Sequence, residues 1–314
     1  MTATFSNLAT RLRRGDALAH TVAFAFGASV IALTGLLAWE LWRNSALARS
    51  KFGLNFFVSQ TWDPVVGQFG AGAFVYGTVM TSAIALAIAV PLGIGVAIFL
   101  AELAPRRLSA IAGMLLELLA AIPSVIYGLI GIAVLVPLMR EWVQPALKAA
   151  TGGFPLFSGP NYGIGLLTAG IVLSIMIVPF IVSVGREVLI SVPREQREAA
   201  LALGSTKWES TWKVVLPYAR PGLYGAIFLA LGRALGETMA VTMVIGNRPE
   251  IAASWFAPAY SMAAVIANEF SEASEELYLH SLIEIGLVLF LLTLVINAVA
   301  RGLIYATSSA GTAR

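Results

Sequence analysis

Long stretches without a charged side chain constrain how this chain can fold more than any other feature. Four of them cover residues 17–39, 64–101, 118–139 and 149–185. A helix needs about 20 apolar residues to cross the roughly 30 Å hydrocarbon core of a bilayer, and each stretch is long enough. The sequence therefore predicts four membrane-spanning helices from these stretches alone.

Two further apolar segments, 217–245 and 282–304, contain only isolated charges. With them we predict six transmembrane helices and an all-α integral membrane fold. Segment 251–268 is also uncharged, but it is interrupted by polar residues and by Pro258. We interpret it as an external or re-entrant helix, because a seventh span would place the positively charged C-terminal segment outside.

The first apolar stretch has two interpretations. Arg11, Arg13 and Arg14 precede it, as in a secretory signal peptide. However, the stretch is longer than a signal h-region, and it ends at Trp39-Glu40-Leu41-Trp42 without a small-residue cleavage site. We therefore expect an uncleaved first span.

The low charge content limits the class of protein and orients it. Only 12% of the 314 residues are charged, 58% are hydrophobic and the mean hydropathy is +0.84, which excludes a soluble enzyme or a nucleic-acid-binding protein. With the N-terminus inside, thirteen Lys and Arg residues fall in cytoplasmic segments and six in external ones, leaving Arg233 in the membrane. This positive-inside bias predicts that both termini are cytoplasmic.

The connection between the fourth and fifth spans, residues 186–216, is more than a short loop. Pro193 suits the start of a helix, residues 194–203 are mostly strong helix formers, and Gly204 can end a helix in a left-handed conformation. Ala199, Ala200 and Leu203 can share one helical face. A second short helix, capped by Ser205 or Thr206, is expected to lead into the fifth span.

This loop resembles the EAA loop of bacterial ABC importer permeases, whose pattern is EAA-x3-G-x9-I-x-L-P. The matching residues are Glu198, Ala199, Ala200, Gly204, Val214, Leu216 and Pro217, with Val214 in place of Ile as the single departure. The resemblance implies a type I importer permease core (MetI-like) with an extra N-terminal helix. It also implies that Glu198 to Gly204 form the coupling helix that contacts a separate ATP-binding subunit.

Further segments are similar to the phosphate-specific permeases of ABC importers. They are residues 77–82, 90–93, 101–102, 121–129 and 232–241. Of the two permeases in such a system, the chain resembles the one with an additional N-terminal span. The resemblance implies three partners: a homologous second permease, an ATP-binding subunit dimer, and an external phosphate-binding protein docking on residues 43–72 and 246–280.

Arg233 and Glu237 are the charges that bear most on function. In the predicted fifth span they are four residues apart and would share one helical face. A charged side chain in the bilayer is costly and is usually retained for function. We expect Arg233 to line the pathway and bind phosphate oxygens, with Glu237 holding it when the pathway is empty; the resemblance supports both roles. The alternative is a self-neutralising structural pair.

Other sites are not supported by the sequence. None of the four lysines is followed by Ser or Thr, so the chain has no phosphate-binding GxxxxGK[ST] loop, and we expect ATP to bind in partner subunits with no cofactor here. His20 and His280 are isolated, so no metal site is expected. Glu117 and Glu284 lie near span ends and are interpreted as interfacial residues.

The sequence thus predicts the permease subunit of an ATP-driven phosphate importer, a transport component rather than an enzyme, in the bacterial inner membrane. Its parts are a cytoplasmic tail (1–20), a first span (21–42), an external loop (43–72), a five-span core (73–304) and a second cytoplasmic tail (305–314). Alternatives are a permease for another oxyanion, such as sulfate or molybdate, an ATP-independent secondary transporter, and a membrane enzyme. No catalytic motif supports the last of these.

Overall fold

The computed structural model describes the backbone of residues 2–309 and the side chains of residues 18–305. That part of the chain is helical apart from its connections and two isolated β-bridges, Asp63–Gln68 and Gly246–Ala259. The longer helices are α1 (Thr2–Asn44), α2 (Ala46–Phe52), α3 (Gly72–Leu103), α4 (Arg106–Ala120), α5 (Ser124–Thr151), α6 (Leu166–Ile190), α7 (Arg194–Ala202), α8 (Lys207–Leu235), α9 (Met239–Ile245), α10 (Met262–Glu269) and α11 (Glu276–Ser309).

Six of these helices are long and apolar enough to cross a membrane, as the sequence predicts. They are α1 from Leu18 onward, α3, α5, α6, α8 and α11 up to Tyr305. Within the described residues, segment 251–268 adds no further span: it is irregular up to Ser261 and then forms α10. The prediction of an all-α, six-span membrane fold is confirmed.

The centre of the bundle is the pair α3 and α6, which run side by side in the same direction. A Cβ placed on Gly93 would lie 2.7 Å from Ile181, and one on Gly170 would lie 2.5 Å from Ile84. These contacts show that the two backbones approach closely, because small residues leave room for the neighbouring helix. Helix α8 packs against the same pair through Ala230 and Ala234, both buried.

Two ends of the bundle can be distinguished without reference to a membrane. We call the end that carries α7 the EAA end, where α3 and α6 finish and α8 begins. At the opposite end lie α2, α10 and the segment 53–71. There Trp62 donates to Glu269 Oε2 at 2.7 Å, and Phe69 stacks on Tyr278 with ring centroids 5.4 Å apart.

The fifth span differs from the prediction. Residues 217–245 were expected to form one helix, but α8 ends at Leu235 and α9 begins only at Met239. The short α9 packs closely on α5, where a Cβ on Gly128 would lie 2.5 Å from Met243 Sδ. This tertiary contact positions α9 independently of α8.

The N-terminal segment also differs. A helix already begins at Thr2, so α1 continues through residues that the sequence suggests as a tail. At the other end, α11 continues to Ser309, and the rest of the predicted 305–314 tail lies outside the described residues.

Candidate coupling and translocation site

The predicted EAA helix is present as α7. It follows Pro193, covers Arg194–Ala202, and is ended by Gly204 at φ +86°, a left-handed conformation that glycine adopts without steric cost. Ser205 N–H then donates to the Ala200 carbonyl at 3.2 Å. The sequence prediction of a short helix closed by a glycine turn is confirmed.

A second cap starts α8 as expected. The Thr206 hydroxyl accepts from the Glu209 backbone N–H, while the Glu209 carboxylate accepts from the Thr206 backbone N–H at 2.9 Å. This reciprocal capping box satisfies two backbone donors that the helix start leaves open. After a π-helical turn at Thr211–Val215, the chain continues through Leu216 and Pro217 into the membrane-spanning part of α8.

The exposed face of α7 differs from the predicted one. Ala200 packs inward, whereas Glu198 and Ala199 are exposed. Leu203 does not share the face of Ala200: it lies beyond the last helical residue and is 90% exposed. The reason is that α7 ends at Ala202, so the chain turns Leu203 away from the bundle before Gly204.

Arg197 fastens α7 to the bundle. Its Nη2 lies 2.8 Å from Glu102 Oε1 in the last turn of α3, and Arg197 is 21% exposed and Glu102 11%. The same guanidinium donates to the carbonyl of Leu189 at 2.7 Å and to that of Val192 at 2.5 Å, at the C-terminal end of α6. A cation is favoured there by the helix dipole. One side chain therefore connects the EAA helix with two central spans.

Sequence reasoning did not find this anchor, because Glu102 and Arg197 are 95 residues apart. The available signal was a charged residue at the end of each apolar stretch, which does not specify a partner. A second anchor, also not predicted, joins Arg186 of α6 to Ser109 of α4, with Nη2 to Oγ at 3.2 Å.

Two tryptophans add exposed apolar surface at the EAA end. Trp208 and Trp212 meet edge to face with ring centroids 5.5 Å apart, and each is about half exposed. They border a hollow of about 490 Å³ along α3 next to Pro91 and Ile98. Leu203, in the turn after α7, is a further exposed apolar side chain at this end.

Arg233 lies near the middle of the bundle. Helices α6 and α8 are antiparallel, since a Cβ on Gly185 would contact Leu223 and one on Gly222 would contact Val188. Both helices rise by the same distance per residue, so moving the same number of residues along each helix from these two contacts places Arg233 level with about residues 175–177. These residues lie near the centre of α6. Leu216, where the EAA pattern ends, is about 25 Å away along α8.

The surroundings of Arg233 do not match the self-neutralising ion pair that the sequence leaves as an alternative. Its side chain is exposed on the surface of this single chain, and within the described part of the structure its guanidinium has no ion pair or hydrogen bond. It lies within electrostatic range of Tyr127, whose hydroxyl donates to the Leu119 carbonyl at 2.7 Å.

Glu237 does not share a helical face with Arg233, so that part of the prediction is wrong. It lies in the break between α8 and α9, is half-buried, and accepts from the Ala240 backbone N–H at 3.2 Å. The carboxylate therefore caps the first turn of α9. The helix break separates the two side chains that a continuous helix would have stacked.

Glu284 is also not the interfacial residue expected from the sequence. It is 2% exposed, and its Oε2 lies 3.8 Å from Nη1 of Arg49, which also donates to Ser45 Oγ at 2.7 Å. The short α2 folds back against α11 and supplies this partner. Glu117, by contrast, is exposed, in keeping with the prediction. Among the described residues no group of three His, Asp or Glu side chains could hold a metal.

Known proteins resemble this chain over most of its length. Residues 89–308 match the family described as "Binding-protein-dependent transport system inner membrane component". A protein from Mesorhizobium japonicum named "Phosphate transport system permease protein PstC" is 52% identical over 91% of this chain and 89% of its own length. Its namesake in Pasteurella multocida is 52% identical over 81% of each chain. A "Probable phosphate transport system permease protein PstC" from Methanocaldococcus jannaschii is 38% identical over 82% of this chain and 83% of the relative.

Solved structures share the fold at low sequence identity. A subunit of the MetNI methionine ABC transporter aligns with a TM-score of 0.54 at 18% identity, covering 79% of this chain and 99% of that chain. A subunit of a bacterial alginate ABC transporter aligns with a TM-score of 0.53 at 17% identity, covering 86% and 92%. These likenesses confirm the predicted importer-permease fold. The chain belongs to the family of binding-protein-dependent transport system inner membrane components, and within it to the PstC permeases.

Proposed function

We propose that this chain is the permease subunit of an ATP-driven phosphate importer and forms half of the transmembrane pathway. The observation that carries the proposal is that one helix, α8, connects the EAA loop with an arginine at mid-height of the bundle that is exposed and has no partner among the described side chains. The phosphate named in the relatives' titles fits that arginine, because a guanidinium offers planar donors that match phosphate oxygens.

Three partners complete the proposed machine. A homologous second permease, PstA-like, closes the pathway on the surface that exposes Arg233. A PstB-like ATP-binding dimer docks on Glu198, Ala199 and Leu203. A PstS-like phosphate-binding protein docks at the opposite end, on residues 43–72 and 246–280. ATP is bound and hydrolysed in the partner dimer, so this chain needs no cofactor and has no catalytic role.

Coupling follows from the contacts that Arg197 of α7 makes with Glu102 at the end of α3 and with the C-terminal end of α6. When the ATP-binding subunits move α7, Arg197 moves with it and pulls on the ends of α3 and α6. Because α8 continues directly from the EAA loop, the same movement reaches Arg233. Arg233 is thus accessible from the external side in one state and from the cytoplasmic side in the other. Glu237 keeps α9 in place beside it.

The same proposal determines which end of the bundle faces the cytoplasm. The EAA end faces the cytoplasm, where ATP is available, and the opposite end faces the binding protein outside. Both termini are then cytoplasmic, because six spans return the chain to its starting side. The membrane is the inner membrane of a bacterium, as the family description and the excess of Lys and Arg at the EAA end suggest.

The experiment that tests the proposal is uptake of labelled phosphate into proteoliposomes that contain the assembled complex and its binding protein. We expect uptake only when ATP is present on the side of the ATP-binding subunits, and no competition from a large excess of sulfate or molybdate. Uptake by this chain without ATP would indicate a secondary transporter. Strong competition by sulfate or molybdate would indicate a different oxyanion.

A further inference from the structure

A cleft separates the N-terminal helix α1 from the last helix α11. Its upper hollow, about 410 Å³, has apolar walls that include Gly35, Trp39 and Leu291. Its lower hollow, about 550 Å³, combines apolar walls such as Leu294 with the polar side chains of Thr34, Asn297 and Arg301. Phe290 borders both hollows, so they adjoin as one cleft whose polar side chains lie mainly in the lower part.

The cleft is open along the part of α1 whose side chains the structure describes. No residue in the most apolar window of this helix is buried. Its attachment is near its C-terminal end, where Leu41 lies next to Gly286 and the buried Arg49–Glu284 pair follows. Among the described side chains, Leu291, Leu294 and Arg301 on α11 are therefore exposed at the cleft.

Arg301 gives the lower hollow a positive charge. Among the side chains that the structure describes, it has no hydrogen bond or ion pair, and it is exposed. Thr293, Asn297 and Arg301 are spaced four residues apart, so they form a polar stripe along one face of α11. An arginine in an apolar helix is costly unless it meets water or an anion.

We propose that this cleft binds one anionic phospholipid of the leaflet at the EAA end. Its headgroup phosphate would accept from Arg301 and Asn297, and one acyl chain would run along Leu291 and Trp39. Leu291 lies about 15 Å from Arg301 along α11, which is half the roughly 30 Å hydrocarbon core and so the depth of one leaflet. The proposal does not depend on which solute is transported.

The lipid would fill the space between α1 and α11 along the described part of α1, where no residue of the apolar window is buried within this chain. Basic pockets between membrane helices on the cytoplasmic side suit acidic headgroups, and each nearby cation adds about 1 kcal/mol of attraction. A phosphate with net negative charge therefore fits better than a zwitterionic headgroup. The acyl chain fills the apolar hollow and stabilises α1 against α11.

Native mass spectrometry of the complete complex, purified from membranes with equal phosphatidylglycerol and phosphatidylethanolamine, tests this inference. We expect phosphatidylglycerol to be retained in preference, and Arg301→Gln to reduce that preference about fivefold. Gly35→Leu should displace the lipid, because a Cβ at Gly35 meets nothing within 4 Å and the larger side chain would occupy the apolar hollow. Arg107→Gln and Gly27→Leu are matched controls, since neither residue borders the cleft.

A second measurement covers the case in which a variant fails to assemble. A photo-crosslinking amino acid at Ala298, on the wall of the lower hollow, should label phosphatidylglycerol in the otherwise unaltered complex. Crosslinking to another protein subunit instead would overturn the proposal. So would equal retention of the two lipids by the wild-type complex, or an unchanged preference in Arg301→Gln.

Discussion

The guanidinium of Arg197 and the carboxylate of Glu102 meet at 2.8 Å, joining the EAA helix to the end of the first core span. The same arginine caps the carbonyl end of α6. A displacement of α7 would therefore act directly on the ends of two helices at the centre of the bundle. A solvated loop would have no need of such an attachment.

Glu102→Gln should reduce the number of phosphate ions imported per ATP hydrolysed. A hydrogen bond between charged groups contributes about 1.5–3 kcal/mol, so weakening this anchor predicts a loss of coupling of roughly tenfold. Uptake and hydrolysis are measured in the same vesicles. Arg107→Ala, an exposed arginine near the same end, is the control. An unchanged ratio in Glu102→Gln would show that the ion pair does not transmit movement.

Leu203→Ala should weaken docking of the ATP-binding subunit. Leu203 is 90% exposed in this chain, and burying a leucine contributes about 1.5–3 kcal/mol, so the dissociation constant should rise at least about tenfold. Titration of the ATP-binding subunit onto the permease pair in nanodiscs measures this directly. Leu54→Ala is the matched control, since Leu54 is 84% exposed at the opposite end. Equal weakening by both variants would exclude a specific contact at Leu203.

Glu237→Ala should loosen α9, whereas Glu237→Gln should not. The amide oxygen of Gln can still accept from Ala240 N–H, but Ala removes the cap at a cost of about 1 kcal/mol. The chain has no native cysteine, so a single cysteine at Thr238 can be labelled without background. We expect faster maleimide labelling in the Ala variant only. Equal labelling in both variants would argue against the cap.

Arg49→Ala should lower the midpoint of thermal unfolding. It leaves the carboxylate of Glu284, 2% exposed, without its cation and removes the stacking of Arg49 on Trp42, where its Cζ lies 3.7 Å from the ring centroid. The expected loss is about 1–3 kcal/mol. The double variant Arg49→Ala with Glu284→Gln should recover part of it, because a neutral side chain has less need of a counter-charge. No recovery would show that the stacking alone stabilises this corner.

Local features of the fold were predictable because their signals are local. The six spans follow from uncharged stretches, and α7 follows from Pro193, a run of helix formers and Gly204. Thr206, one of the two candidate N-caps in the sequence, forms the capping box. These elements depend on neighbouring residues along the chain, which the sequence displays directly.

The contacts that define the site were not predictable in the same way. Gly236, the C-cap of α8, is a local signal at the break, but an isolated glycine in an apolar run does not establish that a helix ends. The start of α9 at Met239 also depends on its packing against α5. The partner of Arg197 lies in another span, and Glu284 is buried only because α2 folds back onto α11. Such contacts between distant residues leave no trace in the local pattern of a single chain.

The most direct test of the central claim, that α8 couples the EAA loop to phosphate at Arg233, is phosphate uptake and ATP hydrolysis by Arg233→Gln in the same proteoliposomes. The variant removes the cation and keeps a polar side chain of similar reach. Arg220→Gln, on the same helix near the EAA end and exposed, is the control and should transport normally. The account predicts that Arg233→Gln assembles, retains basal hydrolysis and imports no phosphate. Wild-type uptake by Arg233→Gln would contradict it.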